Sequence, residues 1–169
     1  MSMFNRAKII DDNFQEFLNN NEKIHPSIIG EKNLSTSSLT STQLIDLLET
    51  QMMSRLLDIK SRELRAIGKS FYTIASSGHE GMAVVGLVSR LSDMAFLHYR
   101  DCALMVQRSK KKHGHTILND LLTSFGAFAD DPISGGRHKV LGSKELFIPP
   151  QTSTIASHLP KAVGTALSI

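Results

Sequence analysis

Cysteine occurs once, at Cys102, which excludes an internal disulfide and favours a reducing compartment. No apolar run is long enough to cross a bilayer, and the N-terminus lacks the apolar core of a secretory signal. Charge is equally modest: 19 Lys and Arg against 16 Asp and Glu give a formal +3, too small to imply a nucleic-acid partner. The expectation is a chain with neither membrane nor nucleic acid among its partners, placed in the cytoplasm. Its 169 residues fit one domain.

What is present divides at about residue 38. Met1 to Ser38 is polar and rich in Asn, Asp, Lys and Ser, and reads as a mobile lead-in or an arm that becomes ordered on a partner. Within it, Ile9 to Leu18 reads as a short helix with Phe14 and Leu18 on one face. From Leu39 the signals sharpen. Thr40 and Gln43 have capping-box spacing, and Leu39 with Leu44 is spaced as a hydrophobic staple. Leu44, Leu48, Met52, Leu56 and Ile59 then recur at helical spacing as a packing stripe, widened by Leu47, Leu57 and Leu64, and Gly68 supplies the stop.

Ser77 and Glu80 repeat the capping-box spacing ahead of an apolar helix, Met82 to Leu91, with His79 in its first turn. Met94 to Leu97 reads as a buried strand, although a buried helical segment has the same pattern. It ends in His98-Tyr99-Arg100-Asp101. An arginine fork beside a tyrosine suits an anionic, partly aromatic ligand at a sheet edge, and an ordinary salt-bridged strand end fits the same residues. Cys102 reads as a small packed residue. Ala103 to Gln107 continues as helix or strand end, and Arg108-Ser109-Lys110-Lys111-Lys112-His113 reads as a solvated basic loop.

His115 to Ala129 reads as another helix. Ser134-Gly135-Gly136-Arg137-His138 is either a loop able to approach a ligand closely or a plain surface loop. Pro149-Pro150 makes Leu146 to Ser153 connecting chain. Thr152-Ser153-Thr154 precedes a last helix, with Pro160 near its first turn and Ala162, Val163, Ala166 and Leu167 on its buried face. Hydroxyls and free N–H groups at such a start either cradle an anion or simply cap the helix.

Taken in order, Gly78-His79-Glu80-Gly81, Tyr99-Arg100, Gly135-Gly136-Arg137 and Leu159-Pro160-Lys161-Ala162-Val163-Gly164 resemble the N-terminal portion of the alpha subunit of the thiamine-diphosphate-dependent first component of 2-oxo acid dehydrogenase complexes, the branched-chain type most closely. The resemblance runs from Leu39 to Ile169. It implies an α/β, thiamine-diphosphate-binding fold: a parallel sheet flanked by helices, helix-rich and incomplete at the C-terminus. It also implies an enzyme component that oxidatively decarboxylates a small 2-oxo acid and passes the acyl group to a lipoyl group. The implied partners are a beta subunit, or the beta half of a fused chain, and a lipoyl acyltransferase component.

Carried over by position, Tyr99 and Arg100 match the pair at the cofactor diphosphate, and Ser153 and Ile155 match the loop beside its rings. No catalytic residue is assigned to this chain. Thr152, Thr154, Ser157 and His158 match a monovalent-cation loop, but His158 stands where the family has glutamine and Thr154 where it has proline. The family's magnesium motif has no counterpart before Ile169, so the resemblance implies no metal site here and an isolated chain that binds the cofactor weakly and is inactive. A non-catalytic interaction module that has lost the metal motif, and a binder of other phosphorylated compounds through Arg100 and Ser153, are the alternatives.

Overall fold

The computed structural model describes residues 5–20, 38–71, 74–115, 131, 133, 135, 140–151 and 153–169. The chain divides into two compact units, Met1–Ser41 and Thr42–Ile169. In the first, α1 (Arg6–Asn20) starts at Asn5, whose side-chain oxygen accepts the Lys8 backbone N–H at 3.1 Å. An ion pair from Lys8 to Asp12, one turn on, supports its exposed face. Ile10, Phe14 and Phe17 are exposed.

The second unit is built on α2 (Ser41–Ala66), a helix of 26 residues that begins directly after Thr40. Its end is a Schellman closure. Gly68, at φ 73°, donates to Arg65 O at 3.0 Å, and Lys69 donates to Leu64 O at 2.7 Å. The helix therefore forms where the caps and the glycine place it, but a different face is turned inward. Leu47, Thr50, Ser54, Leu57, Asp58 and Ser61 are buried, whereas Leu48, Met52 and Leu56 are each 56% exposed. The inward face is the one whose polar groups have partners in the rest of the unit: Thr50 Oγ1 donates to Gln107 Oε1, and Asp58 accepts from Ser76.

Two further helices, α3 (Met82–Val88) and α4 (Cys102–His113), pack directly on each other. Gly86 makes this crossing close, since a Cβ there would lie 2.8 Å from both Gln107 Cβ and Leu104 O. Most of α4 is buried, from Cys102 to Ser109, and Cys102 is a packed core residue as its size suggests. The basic run is not a solvated loop: it forms the last turns of α4, and Gly114 closes the helix at φ 74°. Cations at a helix C-terminus oppose its negative dipole end. Lys110 reaches Asp46 and Glu49, and Lys111 donates to the Leu87 and Ser89 carbonyls.

Arg108 is buried to 1% exposure, its Nη2 donating to Leu91 O at 3.0 Å and Asp93 O at 2.9 Å. The core joins Leu57 of α2 to Leu97, to Cys102, Leu104, Met105 and Val106 of α4, and to Leu141, Leu146 and Ile148. The last helix, α5 (His158–Ser168), has no buried residue; Val163 and Leu167, read as core from their spacing, are exposed.

The expected parallel sheet is overturned: among the described residues there is no strand and no sheet. Met94 to Leu97 is apolar enough for a strand, and Leu97 is buried, yet among the described residues the segment's main-chain link to another segment is one bond, from Ala95 N–H to Phe147 O at 3.1 Å. Ser143 and Ile148 form an isolated antiparallel bridge. A strand exists through a ladder of partners, and one bond is not a ladder. The helix-rich character stands. The helix expected over 115–129 lies, after His115, outside the described residues, as do Gly136, Arg137, His138 and Thr152.

Candidate functional site

The segment joining α2 to α3 is fixed by a buried carboxylate. Asp58 Oδ2 accepts the Ser76 backbone N–H at 2.6 Å, and its Oδ1 accepts the Ser76 hydroxyl at 3.3 Å. Gly78 then turns at φ 88°, and its N–H is taken by Glu80 Oε2 at 2.8 Å. Glu80 thus closes the turn ahead of α3, one residue away from the capping-box bond its spacing suggests. His79 sits in this turn, just before the helix and not within it.

From the other side comes the end of the Met94–Leu97 run. Asp101 is the residue before α4, but its carboxylate makes no cap bond to the helix. Instead Oδ2 accepts the His98 backbone N–H at 2.9 Å and Oδ1 meets His79 Nδ1 at 3.0 Å. One buried carboxylate therefore ties two segments 22 residues apart. The His79 and His98 rings stack at 5.3 Å, and His158, the first residue of α5, meets the edge of His98 at 5.8 Å. Tyr99 packs on His98 at 3.8 Å between centroids.

Arg100 is held by three contacts. Its Nη1 donates to Ala75 O at 2.6 Å, its backbone N–H to His98 Nδ1 at 3.3 Å, and its guanidinium carbon lies 5.5 Å from the Tyr99 ring centre. Among the described residues Nε and Nη2 have no hydrogen-bond partner, so two donors of the fork remain for an anion. Burial holds His98 below histidine's ordinary range; Asp101 pulls the other way, while His79, His158 and Arg100 add to the depression.

Of the four residues singled out for the cofactor, Tyr99 and Arg100 thus share one network. Ser153 and Ile155 do not join it: Ser153 is half-buried, Ile155 is 78% exposed, and no hydrogen bond or ring contact links either to Tyr99 or Arg100. The start of α5, which follows their segment, meets the network through the contact of His158 with His98. The participants that sequence reading did not assign are His98 and Asp101. Nothing in their spacing from His79 and His158 announces the cluster, because the turn at Gly78 and the start of α5 bring these positions together.

No family profile matches the chain. Over 134 residues it is 31% identical to the 2-oxoisovalerate dehydrogenase subunit alpha of Bacillus subtilis (strain 168). The aligned stretch is 77% of this chain and 39% of that protein, so the chain spans well under half the length of the curated relative it matches.

Proposed function

The chain is similar to a branched-chain-type alpha subunit, as its motifs suggested, and from this premise we propose that it is the N-terminal portion of such a subunit, working in a 2-oxo acid dehydrogenase with thiamine diphosphate and magnesium. Residues 39–169 then contribute part of the cofactor-binding region, preceded by a lead-in over 1–38. The partners of the whole assembly are a beta subunit or beta half, a lipoyl acyltransferase component and a small 2-oxo acid.

When bound, thiamine diphosphate supplies the reactive carbon and electron sink for decarboxylation. This chain's residues bind and orient. Arg100, positioned by Ala75 O and the Tyr99 ring, offers Nε and Nη2 to the diphosphate. Tyr99 offers its hydroxyl beside it. Ser153 and Ile155, in the segment ahead of α5, would lie by the cofactor rings, and His158 at the start of that helix meets His98. The observation that carries the reading is the arrangement of the Arg100 guanidinium, Tyr99 and His158, the first residue of α5, around His98.

The test is co-expression with a beta subunit, followed by assay of 2-oxo acid decarboxylation with added thiamine diphosphate and magnesium. Activity should depend on both, and Arg100→Ala should raise the cofactor concentration for half-saturation by roughly tenfold, the worth of a charge-assisted contact of about 1.5 kcal/mol. Failure to decarboxylate pyruvate, 2-oxoglutarate or a branched-chain 2-oxo acid under these conditions overturns the reading. A second reading, an interaction module without chemistry, is favoured by the exposed apolar residues Leu48, Met52 and Leu56 on α2. It predicts stable binding of the beta subunit that is indifferent to the cofactor.

A further inference from the structure

We propose that His79, His98 and Asp101 form a binding site for a divalent transition-metal ion of the zinc class. The three side chains offer one ligand atom each, two imidazole nitrogens and a carboxylate oxygen, and these atoms all lie within 4.8 Å of one another. Two imidazoles and one carboxylate form a donor set suited to zinc and its neighbours in the first transition row, and ill suited to magnesium or an alkali cation, which take oxygen.

The spacing favours closure around an ion. His79 Nδ1 and Asp101 Oδ1 are 3.0 Å apart, held by a hydrogen bond. Two ligands about 2.05 Å from a tetrahedral zinc stand about 3.3 Å from each other, so an ion replacing that bond needs to part them by only a few tenths of an ångström. A neutral His79 then carries its proton on Nε2, so that Nδ1 meets the ion through its lone pair and the carboxylate through its charge. The third ligand comes from His98, whose ring centroid lies 5.3 Å from that of His79, close to the roughly 5 Å of two imidazoles on one tetrahedral ion; the rings now stack at 17°, so one of them rotates to bring its in-plane lone pair onto the ion. His98 turns about its side-chain bonds to present a nitrogen and gives up the bond its Nδ1 accepts from Arg100 N–H.

The frame around the ligands is firm, and the access is open. Asp101 is buried, and its second oxygen is fixed by the His98 backbone N–H. His79 follows a turn tied to buried Asp58 through Ser76, while its own side chain is 39% exposed and gives an ion a way in. The Arg100 guanidinium is itself bonded to Ala75 O and lies 5.5 Å from the Tyr99 ring centre, and its charge favours the neutral, ligating form of His98. The His158 ring meets the edge of His98 at 5.8 Å between centroids and borders the cluster without being one of its three ligands. The site needs none of the cofactor chemistry proposed above, and its failure would leave that reading as it stands.

The experiment is calorimetric titration of the purified chain with zinc sulfate, paired with absorption spectroscopy on cobalt(II) addition. One equivalent should bind with micromolar affinity or tighter, and cobalt should give the intense visible bands of a four- or five-coordinate site. His79→Gln and His98→Gln should each weaken binding by roughly tenfold or more. His113→Gln, which alters a histidine paired with Glu145 outside the cluster, should bind like the parent. Far-UV circular dichroism confirms that each variant is folded, and His79→Gln, in an exposed turn, remains the deciding variant if His98→Gln does not fold. Absence of saturable binding overturns the proposal, as does binding that survives His79→Gln unchanged or disappears in His113→Gln.

Discussion

Asp58 and Ser76 are 18 residues apart, yet the Asp58 carboxylate takes both the backbone N–H and the hydroxyl of Ser76 inside the protein. Asp58 is on the buried face of α2, and Ser76 begins the turn that carries His79. Through this pair the long helix sets the position of the histidine cluster.

Removing the acceptor should therefore be costly. Asp58→Ala leaves a buried backbone N–H without its acceptor and is expected to destabilise the chain by about 2–4 kcal/mol. Urea unfolding followed by circular dichroism measures it. A loss below about 0.5 kcal/mol would mean that the Ser76 turn is held by other contacts.

At the crossing of α3 and α4, Gly86→Ala is the sharpest steric probe. The added methyl meets Leu104 O and Gln107 Cβ at 2.8 Å, and a backbone carbonyl cannot step aside as a long side chain can. An Ala in mid-helix normally gains about 1 kcal/mol over Gly; here overpacking should reverse the sign and leave a net loss of about 1–3 kcal/mol. Thermal melting at matched protein concentration decides the sign.

Lys110 bridges α4 to Asp46 of α2, where Gln107 also donates to the same carboxylate at 2.6 Å. Burial raises the Asp46 carboxyl, but the hydrogen bonds from Lys110 and Gln107 and the lysine's charge outweigh it and hold it below the usual aspartate range. Its stabilising contribution is therefore complete above the unfolded value, about pH 3.9, and is lost as pH falls through the lower folded value. Lys110→Met should reduce stability near neutrality by about 0.5–1 kcal/mol, the scale of a partly exposed pair. It should also flatten the acid limb of the stability profile, measured by urea midpoints from pH 6 to pH 2.5. An acid limb identical to the parent's would exclude the pair as its source.

Arg108 is a buried cation that serves as a staple. Its guanidinium joins α4 to the carbonyls of Leu91 and Asp93, and burial lowers its affinity for the proton while Asp93 opposes that shift. Arg108→Met keeps the stem and removes the donors, stranding two carbonyls. The expected loss is about 1–3 kcal/mol, with faster amide exchange over residues 90–95 relative to α2. Uniform exchange across the second unit would count against a local staple.

Local signals gave a good account of the helices. Thr40, Gln43 and Gly68 bracket α2 because caps and left-handed closures act through bonds within one turn of the chain. The similarity to a dehydrogenase alpha subunit was legible as well, since it rests on the order of short motifs and needs no coordinates. What failed to read was orientation. The apolar stripe of α2 predicts burial of Leu48, Met52 and Leu56; of its residues Leu47 and Leu57, at the edge, are buried, and Thr50, Ser54 and Asp58 turn inward with them in place of the stripe's centre. Periodicity states that a helix has faces; the partners of Thr50 and Asp58 choose which one turns inward.

The strand at Met94 to Leu97 failed for a related reason. Its apolar composition settles that Leu97 is buried, but pairing depends on a second segment lying alongside, and Phe147 supplies one hydrogen bond where a sheet needs a row. The basic run was legible as charge and misread as loop, because the helix dipole and the carbonyls of Leu87 and Ser89 that hold it belong to the folded chain.

By itself the sequence determined where the long helix α2 begins and ends, the absence of an internal disulfide and a family likeness, each fixed by covalent identity or by neighbours a few residues away. Only the tertiary structure decided that His79, His98, Asp101 and His158 share one place, and that Arg100 leaves half its fork open beside them. Hydrogen bonds across 18 and 22 residues make that choice, and their geometry exists only once α2, α4 and the turns between them are packed.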